Sequence, residues 1–375
     1  MDRIYFDYNA TTPLAPEVAL AMRPLMEGEF GNASSSHWAG QRARDAVENA
    51  RSQVATLLHC ESSEIVFTSG GTEANNSALA GVFFRQQAKS RPHFIISSVE
   101  HPSVAKTCDF LEQLGAEITR VPVDRFGTVD PAEIRRAIHS STVLISVMHA
   151  NNEVGTIQPI KAIAAIAREC NVLMHTDAAQ SVGKVPVDAT DLGVDLLTVA
   201  GHKMYAPQGV GALFIRTGVR LEPWLHGAGH ESGRRAGTEN VMQIMGLGAA
   251  CELAEQWIHQ SAVRDLRDAF WQRLHDQFGE RVVLNGHPEQ RLPNTLNVSF
   301  PGHHGHDILS RIPELAASTG SACHAGSHHL SPVLSAMGVP ESSGLGAIRF
   351  SLGRASTLGE VEAVVEQLAK ATGQR

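Results

Sequence analysis

From about residue 64 to residue 216 the chain alternates short β-branched runs with helix-like stretches, and few folds accommodate that rhythm. Strands are predicted over 64–68, 93–97, 117–121, 143–148, 173–175, 196–199 and 211–215. Helices are predicted between them over 73–87, 103–114, 131–138 and 159–169. Alternation at this spacing predicts an α/β domain built around a mostly parallel sheet. An earlier helix, over 38–58, carries Ala43, Ala46, Val47, Ala50, Val54 and Leu57 on one stripe. After a glycine-rich stretch at 226–238 the texture changes. A long helical segment is predicted over 242–278, strands over 281–284 and 295–300, and a terminal helix over 360–369. A boundary between a large and a smaller unit is expected in or just after the helix that follows Thr238.

A chain of 375 residues buries a core without needing a disulfide or metal staple. Its 31 Lys+Arg against 39 Asp+Glu give a formal charge of -8. That balance excludes proteins whose main task is gripping nucleic acid or an anionic membrane. No apolar run approaches the roughly 20 residues that span a bilayer. The first residues show no basic segment leading into an apolar one, so no secretory signal is expected. Five widely spaced cysteines form no C-x-x-C pair, which fits reduced thiols and a cytoplasmic location.

Ligands of open α/β sheets bind beyond the carboxyl ends of the strands. Here five such ends carry small, polar or ionisable residues: 68–73, 98–101, 149–152, 175–180 and 200–203. Gly70, Gly71 and Thr72 at a strand-to-helix junction suit an anion cradle, because glycine lets the backbone approach and a helix N-terminus favours phosphate. An ordinary glycine turn capped by Thr72 reads equally well there. Neither a Walker loop nor a dinucleotide fingerprint occurs. Asp177 ends one strand and Lys203 follows the next, the pair that pyridoxal phosphate chemistry requires. The lysine forms the Schiff base, and the carboxylate keeps the pyridine nitrogen protonated so that the ring accepts carbanion electrons. The alternatives are a surface lysine and a helix-capping aspartate. His101 is placed to stack on such a ring and move protons, or to be structural. Cys323, among Gly, Ser and Ala, has the accessible setting that a nucleophilic thiol needs. The other four cysteines, in apolar or helical contexts, read as inert.

Together these residues resemble the pyridoxal-phosphate cysteine desulfurases of the NifS type and the related selenocysteine lyases, within the class V aminotransferase family. The resemblance spans almost the whole chain and includes Asp7-Tyr-Asn-Ala-Thr-Thr-Pro13, Phe67-Thr-Ser-Gly-Gly-Thr-Glu73, Glu100-His101, Asn151-Asn-Glu-Val-Gly155, Asp177-Ala-Ala-Gln180, Gly201-His-Lys203, Gly320-Ser-Ala-Cys323 and Arg349-Phe-Ser-Leu-Gly-Arg354. It implies the pyridoxal-phosphate transferase fold type I, a mostly parallel central sheet with helices on both faces plus a smaller α+β domain. Residues 13–255 would form the large cofactor-binding domain. Residues 1–12 and 256–375 would form the small one, carrying the cysteine loop at about 316–331.

By the same resemblance Lys203 holds pyridoxal 5'-phosphate, Asp177 meets the pyridine nitrogen and His101 lies over the ring. Gln180 and Asn152 contact the ring hydroxyl and the substrate side. Gly71, Thr72 and His202 hold the phosphate, joined by Thr238 from the partner subunit of a homodimer. Arg354, with Asn32, holds the substrate carboxylate, a task suited to a guanidinium's paired donors. Cys323 takes the sulfur as a persulfide. The implied substrate is L-cysteine, with L-selenocysteine as the alternative, and the implied partner is a sulfur or selenium acceptor protein.

Ala200 departs from the serine common at its position in desulfurases, so one phosphate hydrogen bond is expected to be missing. That loss is about 0.5–3 kcal/mol unless water substitutes. His324 and the segment 331–340 look closer to the lyases. The chain ends soon after Arg354 and is expected to lack the longer tail by which housekeeping desulfurases meet an iron-sulfur scaffold. The intact Cys323 loop favours the desulfurase. More distant readings are an aminotransferase on the same fold, and a metal-binding scaffold using His303, His304, His306, His324, His328 and His329. Those histidines lack a closed four-ligand spacing, and no metal is expected.

Overall fold

The computed structural model describes residues 3–86, 91–319 and 329–373. After a short strand β1 (Ile4–Tyr5), the chain lays down β2 (Ile65–Thr68), β3 (His93–Ser97), β4 (Glu117–Val121), β5 (Thr142–Ser146), β6 (Leu173–Asp177), β7 (Leu196–Ala200) and β8 (Gly211–Ile215). These seven form one sheet in the order β2-β8-β7-β6-β5-β3-β4. β8 runs antiparallel to both its neighbours, and the other pairings are parallel. Six strands therefore point the same way, and their carboxyl ends, including Thr68, Ser97, Asp177 and Ala200, share one edge.

Burial on both faces explains why the strands read as continuous apolar runs. Ile65, Phe67, Ile95 and Ile145 face a core built with the helices Trp38–Leu58 and Val241–Trp257. Val66, Phe94, Ile96 and Leu144 face the opposite core, with the helices Gly71–Arg85 and Pro102–Gln113. The side-chain alternation of a strand thus serves two layers of helix.

A separate core joins Phe6, Phe270, Leu274, Val298, Phe350 and Val364. It holds the antiparallel strands β9 (Val283–Asn285), β10 (Thr295–Ser299) and β12 (Ala347–Ser351), in the order β12-β10-β9. β1 adds to β11 (Leu315–Ala316) in parallel. On these separate cores we propose the division of the chain into 13–255 and 1–12 with 256–375. The single helix expected over 242–278 is two helices, Val241–Trp257 and Ala262–Phe278. Both have apolar faces, so their periodicity runs on through the short connection at 258–261 and conceals it. Among the described residues no helix is long and apolar enough to cross a membrane.

Candidate active site

The shared strand edge gathers the ionisable residues singled out in the sequence. Asp177, the last residue of β6, is buried and doubly held: Asn75 Nδ2 donates to Oδ2 at 2.7 Å, and the Ala179 backbone N–H donates to Oδ1 at 2.9 Å. Asn75 comes from the helix Gly71–Arg85 and also donates to Ser103 Oγ at 2.8 Å. Ser103 Oγ lies 2.7 Å from His101 Nδ1, and that nitrogen also accepts the Ser103 backbone N–H at 3.1 Å. An unbroken hydrogen-bonded line therefore runs from His101 through Ser103 and Asn75 to Asp177. Because Nδ1 accepts, the His101 proton resides on Nε2. Burial lowers the His101 pKa, and the Asp177 charge opposes it.

Lys203 follows β7 in a single 3₁₀ turn. Its Nζ donates to the Ala10 carbonyl at 2.8 Å and to the Asn9 carbonyl. Burial, and after it the charge of Arg349, brings this amine down to about 8. Asp7 and Asp177 act in the other direction. His202 Nδ1 meets Thr11 Oγ1 at 3.1 Å, and burial with the neighbouring lysines holds its pKa at about 4, a neutral ring at physiological pH.

Asn9 ties this edge to the smaller core. Its carbonyl accepts from Gln180 Nε2 at 2.9 Å, and its side chain meets Lys184, Asn294 and Thr295 at 3.0, 3.0 and 2.8 Å. Lys184 is half-buried, donates to Gln180 Oε1 at 2.7 Å, and has its pKa pulled well below the ordinary lysine value by desolvation. Arg349 is buried, donates to the Asn152 carbonyl at 2.9 Å and to Asp7 Oδ1 at 2.7 Å, and keeps a buried Nε with no hydrogen-bond partner among the described residues.

The residues present fit pyridoxal phosphate. The first turn of the helix Gly71–Arg85 opens beside exposed Thr72. A Cβ on Gly71 would come within 3.2 Å of the Ala200 Cβ, a tight contact that glycine avoids. Asp177 and Lys203 supply the carboxylate and the low-pKa amine that the ring and the aldehyde need.

Other sequence expectations fall elsewhere. Asn32 is exposed, and its Oδ1 accepts from the Ser34 backbone within its own turn. Thr238 is exposed and lines a hollow of about 100 Å³ with Thr68, Ser69 and Arg235. Arg354 stacks on Tyr205 and Trp257. Cys323, His324 and His328 lie outside the described residues. The four described cysteines are free. Burial pushes Cys60 and Cys108 up to about 12 and raises Cys251 as well, while Cys170 is exposed at a helix end. Asn75, Ser103, Asn9, Lys184 and Arg349 escaped the sequence reading, although Asn9 and Arg349 stand inside two of its motifs. For Asn75, Ser103 and Lys184 the available signal was a polar residue two to four positions from Thr72, His101 and Gln180.

Among the described residues, His93, Glu117 and His139 bring ligand atoms within 4.8 Å of one another. His93 already meets Thr142 and Thr119 hydroxyls at 2.8 Å each, and its ring stacks on His139 at 4.0 Å and 18°. Stacked rings hold their in-plane lone pairs side by side, which is not the convergence a metal needs.

The aminotransferase class-V family model matches residues 4–364. A protein named cysteine desulfurase IscS from Dictyoglomus turgidum is 46% identical over 376 residues, covering 97% of this chain and 95% of its own. Its namesake from Methanosarcina thermophila is 47% identical over 367 residues, covering 97% and 90%. A solved structure titled NifS-like protein superposes with a TM-score of 0.92 at 35% identity, over 99% of both chains. The chain belongs to the class-V aminotransferase family and, within it, to the NifS-like proteins of pyridoxal-phosphate fold type I.

Proposed function

We propose that this protein is a pyridoxal-phosphate-dependent cysteine desulfurase that converts L-cysteine to L-alanine and takes the sulfur onto Cys323. The observation that carries the reading is the meeting of Lys203, Asp177 and the His101 line at one strand edge, in a chain of this family. Bound there, pyridoxal phosphate supplies a sink for the electrons left when an amino acid loses its α-proton.

The chain's own groups do the rest. Lys203 would carry the cofactor, and its Nζ would take the α-proton, a role its lowered pKa suits. Asp177, held in place by its two donors, would keep the ring nitrogen protonated. His101 Nε2 relays the proton of the substrate thiol. The Cys323 thiolate attacks the substrate sulfur: a S–S bond forms, the Cβ–S bond breaks, and its electron pair stays on the carbon skeleton, which is protonated and released. L-cysteine and one thiol give L-alanine and one persulfide, which an acceptor protein then consumes. Thr72 and His202 are the phosphate contacts, and Gln180 and Asn152 the contacts of the ring hydroxyl and substrate side. For the substrate carboxylate we favour Arg349 over Arg354, because the Arg349 charge is felt at Lys203 whereas the Arg354 guanidinium is stacked on Tyr205 and Trp257.

We further propose a homodimer in the cytoplasm. Phe30 and Trp38 are 76% and 68% exposed beside Asn32, an apolar corner that a second copy would cover. Free cysteines fit a reducing compartment. Turnover of cysteine and selenocysteine, measured side by side on the native enzyme and on Cys323→Ala, tests the scheme. Cysteine desulfuration is expected to vanish in the variant. Persistence of sulfur transfer would remove Cys323 from the mechanism, and undiminished turnover by Lys203→Ala would sink it altogether.

A further inference from the structure

Lys184 follows Gln180 by four residues, in the run of tight turns that leaves β6. The Val182 N–H donates to the Ala178 carbonyl at 3.0 Å, and the Lys184 N–H to the Ser181 carbonyl at 2.9 Å. Turns of this pitch put residues four apart on one side, as a helix does. Gly183 has φ +76°, and a Cβ there would come within 2.9 Å of the Met204 Cβ. Glycine at this point lets the chain lay Lys184 against the strand edge.

The Lys184 side chain closes a triangle of hydrogen bonds. Its Nζ donates to Gln180 Oε1 at 2.7 Å and to Asn9 Oδ1 at 3.0 Å. Gln180 Nε2 donates to the Asn9 backbone carbonyl at 2.9 Å, which completes the third side. The two ends of a side-chain amide have nearly the same shape, so their partners decide which way it points. Asn9 Nδ2 donates to the Asn152 carbonyl at 3.2 Å, a group that only accepts, and this turns Asn9 Oδ1 to the amine. Gln180 likewise meets a pure acceptor at its nitrogen and a pure donor at its oxygen. Lys184 thus holds the Gln180 oxygen directly, and through Asn9 it steadies the carbonyl that holds the nitrogen. Nε2 carries two hydrogens, and the bond to Asn9 uses one.

We propose that Lys184 is a positioning residue, which holds Gln180 so that it offers the ring hydroxyl of the cofactor an N–H and not an oxygen. This rests on the reading of Gln180 as the contact of that hydroxyl. A donor at the hydroxyl oxygen draws off negative charge, so the nearby link to Lys203 gives up its proton at a lower pH. Lys203 and Arg349 face Lys184 and add to the burial that lowers its pKa, and Lys184 in turn helps to lower that of His202. An amine keeps two hydrogens when neutral, so both bonds are available in either state. Any charge at Nζ would also act on the link through its field, and the test separates that from positioning.

Absorbance titration of the holoenzyme with pH provides the test, with thermal unfolding to check the fold of each variant. Lys184→Met should raise the pH at which the visible band of the bound cofactor changes by about 0.5 to 1 unit, the worth of one hydrogen bond. Gln180→Leu should raise it at least as far. The double variant should match Gln180→Leu alone, because Lys184 acts through Gln180. Lys184→Gln is a milder change that keeps one N–H donor. It should give a smaller shift in the same direction, and none in the Gln180→Leu background, which decides the matter even if Lys184→Met does not fold. Shifts that add in the double variant overturn the assignment, since they report the field of the amine. An unshifted band in the Lys184 variants overturns it too, and leaves the cofactor site standing. Failure of the unaltered protein to develop a visible band with pyridoxal phosphate would instead remove the cofactor reading, and this inference with it.

Discussion

Ser331 Oγ donates a buried hydrogen bond of 2.5 Å to Glu153 Oε2, across 178 positions of sequence. The same Ser331 oxygen caps the helix Pro332–Ala336 by accepting the Val333 and Leu334 N–H groups. Glu153 in turn neighbours Asn152 and feels the charge of Arg349. The C-terminal foot of the Cys323-bearing segment is thus fastened to the turn that meets the candidate substrate anchor.

This fastening sets a pH dependence. Burial pushes the Glu153 pKa from 4.5 up to about 7, against the Ser331 hydrogen bond and Arg349. The folded state therefore holds a proton that the unfolded state releases between about pH 4.5 and 7. Its contribution is full at the acidic end of that window and is lost as pH rises through it. The shift corresponds to on the order of 3 kcal/mol. In urea unfolding, Glu153→Gln should flatten the decline in stability between pH 5 and pH 8. An unchanged slope would show that Glu153 is already ionised in the folded protein. Glu100, raised by burial to about 8, should give a parallel and later decline.

Asn75 holds Asp177 and the Ser103–His101 pair at once. Asn75→Ala should leave a carboxylate oxygen short of a donor and loosen His101. We expect cofactor affinity to fall ~10-fold in an absorbance titration, from loss of one hydrogen bond to a charged group. Full affinity would place the control of Asp177 elsewhere.

The amine of Lys203 reacts only when neutral. With its pKa at about 8, cofactor loading of the apoprotein should accelerate with pH and level off above an inflection near 8. Arg349→Met removes a cation that lowers this pKa, so the inflection should move upward. A common inflection in both proteins would count against Arg349 as its neighbour.

Ala200 ends β7 against Gly71. Ala200→Ser should add a hydroxyl beside the Gly71 turn and tighten the cofactor by up to ~10-fold, read as a slower loss on dialysis. Gly71→Ala, by filling the cradle, should do the reverse.

The sheet was legible because both faces of its strands other than the edge strand β4 are buried, which leaves apolar runs such as Phe94–Ile96 between polar turns. Strand ends were legible because polar residues cluster there: His175-Thr-Asp177 closes β6 and Gly201-His-Lys203 follows β7. The two helices around 258–261 were not separable, since their apolar stripes continue in phase. Arg349 was missed because β12 supplies it from mid-strand, where a cation looks like an edge residue until its partners, Asp7 and Asn152, are known. Arg354 drew the carboxylate role by motif, whereas its neighbours are aromatic.

The Asn9 junction also bears on when this protein becomes complete during synthesis. Asn9 N donates to Ser351 Oγ, and Arg349 reaches back to Asp7, each across 342 positions. Contacts of such long range are late to form, because the intervening chain must already be in place. On the ribosome, Asn9 and Asp7 emerge some 342 residues before Ser351 and Arg349, the partners they await. The large sheet can assemble while translation continues, but the lysine site stays unfinished until the final strand has emerged.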